Sequence, residues 1–295
     1  MRGSILGGSL SGRKSVTFDL PTASHSLSKR SRNEPQIPNK DDTSEAPPMY
    51  HVALFMRTLR IAFGHKILVH IFASIHLLKG FIKTMCESPI PWILGAKNVS
   101  GPRLQVLNQF IHMPFALKPV LGLMSDFMPL FGYHKMPYAV LATLGLLASL
   151  IILGFVDHAV LSANVLAGCF FTIWLGISMN DLLIQAKYSE KINTVPTLGP
   201  SLVSFIWFGT YAFQMIGVLM VGFMMQYMGN GFPYVVCIPA AYFLLLPTLY
   251  NYMEETKSTP EQMATRRREI RDHYYVVVLV GVLLFCNVVF HADNC

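Results

Sequence analysis

Apolar residues gather into seven runs of roughly 20, the length a helix needs to cross ~30 Å of hydrocarbon. They lie at approximately 67–94, 104–124, 137–156, 159–184, 201–228, 232–252 and 274–290. The pattern predicts an all-α membrane protein whose first six spans occupy residues 49–253 and whose seventh begins at 274. A polar stretch rich in Glu and Arg, residues 254–273, separates the sixth run from the seventh. The opening 1–48 segment has no apolar periodicity; Ser, Pro and basic clusters such as Lys29-Arg30-Ser31-Arg32 dominate it, which predicts a disordered tail. No 7–15-residue apolar stretch follows its basic residues, so it is not a secretory signal, and the first span must direct insertion.

Composition sharpens this picture. Hydrophobic residues make up 53% of the chain and charged residues only 13%, against about 25% charged in soluble domains, and the mean hydropathy is +0.45. The lipid bilayer is therefore the principal solvent. The net charge of +7 sits at span borders rather than in one stripe with interleaved aromatics, which argues against nucleic acid. Segments on one side carry eighteen Lys and Arg against two on the other; by the positive-inside rule the N-terminus is cytosolic and so is the 254–273 linker. The sequon Asn98-Val99-Ser100 then falls outside. Cys86, Cys169, Cys237 and Cys286 lie within predicted spans at spacings that fit neither a disulfide framework nor a zinc site. No metal, cofactor or catalytic constellation is predicted, and nothing points to an enzyme.

From His51 to Phe63, Arg57 and Arg60 alternate with Val52, Leu54, Phe55, Leu59, Ile61 and Phe63. This suits a short interfacial helix, or simply the solvated start of the first span.

Candidate chemistry lies within the spans. His76, Lys79, Lys83 and Glu87 are spaced three, four and four, which on an α-helix puts them on one face. Intramembrane charges of this kind face a cavity or pair with one another, here Lys83 with Glu87. Span two adds Gln105, Asn108, Gln109 and His112. Asp181, near the inner end of span four, is a proton or cation relay or half of a salt bridge with Lys187 or Lys191. Trp207, Tyr211 and Gln214 form a stripe that either stacks a flat ligand or packs. Gly209, Gly217 and Gly222 are expected to permit close helix approach.

The loop after span two reads Lys118-Pro119-x-x-Gly122-x-x-Ser125-Asp126-x-x-Pro129-x-x-Gly132-Tyr133-x-Lys135-x-x-Tyr138. It resembles the signature of the folate–biopterin transporter family, a branch of the major facilitator superfamily. Ser178-Met179-Asn180-Asp181-Leu182-Leu183 and Ala186-Lys187-Tyr188-Ser189-Glu190-Lys191 extend the likeness, which covers about 70–255. The resemblance implies the N-terminal six-helix half of a major facilitator fold plus one further span, a truncated or partial transporter. It also implies a plasma-membrane location and alternating-access uptake of folate or an unconjugated pterin, coupled to protons. Its conformational gate would comprise Lys118, Gly122, Asp126, Gly132 and Lys135, with Lys135 the basic partner of Asp126. Compared with the superfamily motif, Phe127–Phe131 lengthen the loop and a single Lys135 replaces a basic pair. Its substrate would meet His76, Lys79, Lys83, Glu87, His112, Asp181, Trp207, Tyr211 and Gln214 between two halves. The alternatives are a transport-inactive copy that regulates or pairs with a homologous transporter half, and a seven-span receptor, against which the cytosolic N-terminus counts.

Overall fold

The structure is a computed structural model that describes residues 48–127, 130, 133, 135–255, 275, 278, 281 and 282. Residues 1–47 of the predicted 1–48 tail, the linker from 256, Gly132 and most of the seventh run lie outside the described residues, while Pro48 already opens a helix. Within them the chain is helical, without a named strand.

Helix α1 (Pro48–Phe63) ends at Gly64, whose φ of 85° redirects the chain into α2. The long rod α2 spans His65–Gly95. It begins α-helical over His65–Ile71, widens to a π-helix over Phe72–Ile82, and returns to α at Lys83–Glu87. The predicted second span is two helices, α3 (Gly101–Ala116) and α4 (Lys118–Phe127), jointed at Leu117. Pro119 has no N–H to donate to Phe115 O in the preceding turn, and beside this joint Ser178 Oγ donates to Pro114 O at 2.8 Å. Then come α5 (Met136–Phe155), α6 (Ala163–Thr194), α7 (Gly199–Tyr227) and α8 (Phe232–Leu249). Pro102, Pro137, Pro200 and Pro233 stand in the first turns of α3, α5, α7 and α8, where a missing N–H is harmless. Helix α6 is capped instead by Ser162, whose Oγ accepts from Val165 N–H.

Five helices are long and apolar enough to cross a membrane: α2, α5, α6, α8 and the Pro196–Tyr227 helix that contains α7. With the jointed α3–α4 they account for the six predicted spans, and the protein is an all-α membrane protein. The principal contacts pair α2 with α7, α3 with α6, α5 with α6, α5 with α8, and α2 with α8. Exchanging the first, second and third spans with the fourth, fifth and sixth leaves this set unchanged. That is the signature of a three-plus-three repeat. The main core, around Trp174, Phe170, Tyr234, Leu146, Leu150 and Cys86, fills the space between α2, α5, α6 and α8. On α5 the outward Leu141, Leu144, Ile151 and Phe155 remain exposed, as residues facing acyl chains should.

Candidate functional site

The π-helical turn decides where the charges of α2 point. Its i→i+5 bonding gives a wider turn than the α-helix, so His76 and Lys79 no longer share the face that their spacing predicts. His76 is 2% exposed and lies inside the bundle, 4.8 Å from the Phe205 ring and 6.0 Å from Phe213, seated on Gly209 of α7. It is removed from the polar face, and its Nε2 has no hydrogen-bond partner. Gly209 is therefore required by packing; a Cβ added at Gly217 would meet Thr84 at 3.2 Å, a tight contact, and one added at Gly222 would meet nothing.

Lys79 instead reaches Asp181. Its Nζ donates to Oδ1 at 3.0 Å and Oδ2 at 3.1 Å, and Lys118 Nζ donates to Oδ2 at 2.6 Å. The carboxylate is 1% exposed while the two lysine side chains are 24% and 22% exposed, so the acid lies behind and the ammoniums face an open seam. Three segments distant in sequence, α2, α4 and α6, meet at this one carboxylate. The local partners expected for Asp181 are engaged elsewhere, Lys187 with Glu190 at 3.1 Å and Lys191 with Glu254 at 2.9 Å.

The seam continues along α2 and α3. Lys83 pairs with Glu87 at 3.2 Å, the bland alternative left open by the spacing, and Glu87 also meets His112 Nε2 at 3.5 Å. Nδ1 of His112 donates to Asn108 O at 2.8 Å, and its ring stands edge-on to the fully buried Trp174 at 5.3 Å. Aromatic faces line the cations: Lys118 sits 4.8 Å from the Phe115 ring centroid, Lys83 5.9 Å, and Lys79 lies 5.8 Å from Trp207. Trp207 and Tyr211 stack on each other at 5.7 Å with half or more of their surface exposed. Gln214 is half-buried on α7, its backbone close to Gly80. The seam thus holds Lys79, Lys83 and Lys118 against Asp181 and Glu87, a surplus of one positive charge beside flat aromatic faces.

The loop motif separates into parts. Lys118 belongs to the Asp181 centre. Gly122 lies 3.4 Å from Leu182 counted from a would-be Cβ, an ordinary contact, so close packing does not demand glycine there. Asp126 is exposed, and among the described residues it forms no ion pair with Lys135. The backbone N–H groups of Lys135 and Met136 donate to the Glu255 carboxylate at 2.9–3.2 Å and 2.9 Å. Glu255, 119 residues away from Met136, thus caps α5, and the neighbouring Lys191–Glu254 pair holds the Glu254 carboxyl below its usual range. Periodicity gives no signal for either contact. The sequence also offers no hint of Phe115 and Trp174 as seam walls, although an intramembrane Lys79 without a local acid is itself a signal that a distant carboxylate must serve it.

Cavities of about 650 and 640 Å³ lie at the opposite, loop end, around His158, Gly231 and Lys97, and around Lys97, Arg103 and Ser162. Neither contains a seam residue. Cys86, Cys169 and Cys237 are buried free thiols.

Residues 62–288 match the BT1 family. Over 171 residues, 57% of this chain and 34% of the relative, the sequence is 26% identical to "Probable folate-biopterin transporter 4" of Arabidopsis thaliana. It is 27% identical over 180 residues, 58% of this chain and 40% of the relative, to "Probable folate-biopterin transporter 7" of the same plant. It is also 29% identical over 118 residues, 40% of this chain and 23% of the relative, to "Folate transporter 1" of Plasmodium falciparum (isolate 3D7). The chain thus spans no more than about two fifths of the length of these relatives. No solved structure matches.

Proposed function

The chain belongs to the BT1 family, whose relatives are transporters rather than enzymes, and from that premise we propose that it carries folate or pterins across the membrane by alternating access. The observation that carries the reading is the Asp181 centre: one enclosed carboxylate shared by Lys79 and Lys118, opening onto a cationic seam walled by Trp207, Tyr211 and Phe115. A pterin ring is flat and electron-rich at its oxygens, and folate adds an anionic glutamate. Aromatic stacking would hold the ring, while the surplus cation would draw the anion. The described helices furnish one wall of such a pathway; the facing wall is a second six-helix half, in the same polypeptide or in a homologous partner.

Proton coupling has one support in the seam. With His112 Nδ1–H committed to Asn108, the Nε2 contact with Glu87 is a hydrogen bond only when one of the two groups carries an added proton. We propose a cytosolic N-terminus on the charge asymmetry of the loops, and a plasma-membrane location as the family resemblance implies.

The test is equilibrium binding of folate and biopterin to the full chain in nanodiscs, followed by tryptophan fluorescence. Trp207→Phe should weaken both ligands, and Lys79→Met should weaken folate more than biopterin. Binding of both ligands unchanged in the two variants would overturn the assignment of the seam.

A further inference from the structure

We propose that α1 is a membrane-surface helix that binds anionic phospholipid headgroups through Arg57 and Arg60 while Val52, Phe55 and Met56 enter the acyl boundary. The geometry begins with Leu59 and Phe63, which are 0% and 5% exposed. They pack in a cluster with Ile67 of α2, Ile184 of α6, and Leu198 and Leu202 around the start of α7. That contact docks only the C-terminal half of the helix. On a 3.6-residue turn, Val52, Phe55 and Met56 fall within about 60° of the Leu59 direction, so they prolong the docked stripe. They are nonetheless 63%, 37% and 37% exposed. Among the described residues, the apolar face of α1 therefore continues past the edge of the bundle with no protein beneath it.

Charge identifies what covers it. Arg57 and Arg60 project to the far side and the flank of the same helix, and both are exposed. Between residues 48 and 86 there is no Asp or Glu, whereas Arg57, Arg60, Lys66, Lys79 and Lys83 are present. Gly64, with φ 85°, turns α1 directly into the membrane-crossing α2 and so keeps it at the boundary. A helix with an apolar stripe, flanking arginines and no acids, held at a bilayer boundary, complements an anionic leaflet rather than an acidic protein, whose surface would leave the apolar residues wet.

The test places the full chain in nanodiscs of phosphatidylcholine with and without phosphatidylserine. Spin labels at Val52→Cys and Arg57→Cys, in a background with other accessible cysteines replaced, are probed with oxygen and a water-soluble nickel reagent. Position 52 should favour oxygen and deepen with phosphatidylserine, and position 57 should favour nickel. In native mass spectra, Arg57→Gln and Arg60→Gln should each lower retention of phosphatidylserine over phosphatidylcholine roughly fivefold, at about 1 kcal/mol per basic residue, and the Lys variants should restore it. Equal nickel access at both positions would overturn the proposal. So would shielding of position 52 from both reagents, which marks a protein partner, or a depth indifferent to phosphatidylserine.

Discussion

Replacing Asp181 by Asn removes one charge from a centre that has three charged members. The carboxylate is 1% exposed and accepts at 3.0, 3.1 and 2.6 Å, so its loss leaves Lys79 and Lys118 facing each other without a counter-ion. Breaking a fully buried pair costs about 3–5 kcal/mol. Here the lysine side chains are 24% and 22% exposed and regain some hydration, which sets the expectation near the lower end, about 3 kcal/mol. For a domain of this size that lowers Tm by about 6–12 °C, measurable by scanning fluorimetry of the purified chain. A second arm separates stability from function. Asp181→Leu combined with Lys79→Met and Lys118→Met should restore Tm to within about 3 °C of the parent, because an apolar replacement of a whole buried ion cluster is often neutral. The same triple variant should not bind folate. An Asp181→Asn protein with unchanged Tm, or a triple variant that melts as low as Asp181→Asn, would refute the shared-carboxylate account.

Gly209→Ala drives a methyl into the His76 ring and should destabilise by about 1–3 kcal/mol, whereas Gly222→Ala, with open space around it, should be neutral or slightly stabilising in the same melts. Because Lys191 holds Glu254 below its ordinary value, that pair contributes at neutral pH and above, and its contribution is lost as pH falls through the lowered value. Lys191→Gln should flatten this acid limb, by no more than about 1 kcal/mol at so exposed a site. An impermeant thiol reagent should label Val99→Cys on intact cells and Thr194→Cys only after permeabilisation; the reverse pattern would invert the topology.

The spans were legible because hydropathy is additive along the chain: 67–94, 137–156 and 232–252 lie close to α2, α5 and α8. The fourth run stops at 184, yet α6 continues to Thr194, since a helix leaving the bilayer keeps its hydrogen bonds while its side chains turn polar. Hydropathy alone places no joint at Leu117 in the second run. Most residues of the seam were identifiable as polar groups in apolar runs, and Lys83 with Glu87 as a pair, but not the partners of Asp181. A stripe argument assumes 3.6 residues per turn, and the π segment Phe72–Ile82 sends His76 and Lys79 in different directions. Asp181 finds Lys118 at a separation of 63 and Lys79 at 102, distances at which local spacing carries no information.

The close approach of α2 to α7 has a mechanical meaning. Gly80 lies against the Thr210 carbonyl, Gly209 under His76, and Gly217 beside Thr84, so the two helices meet through glycine at three successive levels and leave little slack for sliding or rolling. They behave as a single beam. Lys79 on one helix and Trp207 on the other therefore keep their spacing in any rocking motion. In the alternating-access cycle proposed above, the Asp181 contacts to α4 and α6 are a place where this pair can give, because long lysine stems supply travel that the glycine contacts do not.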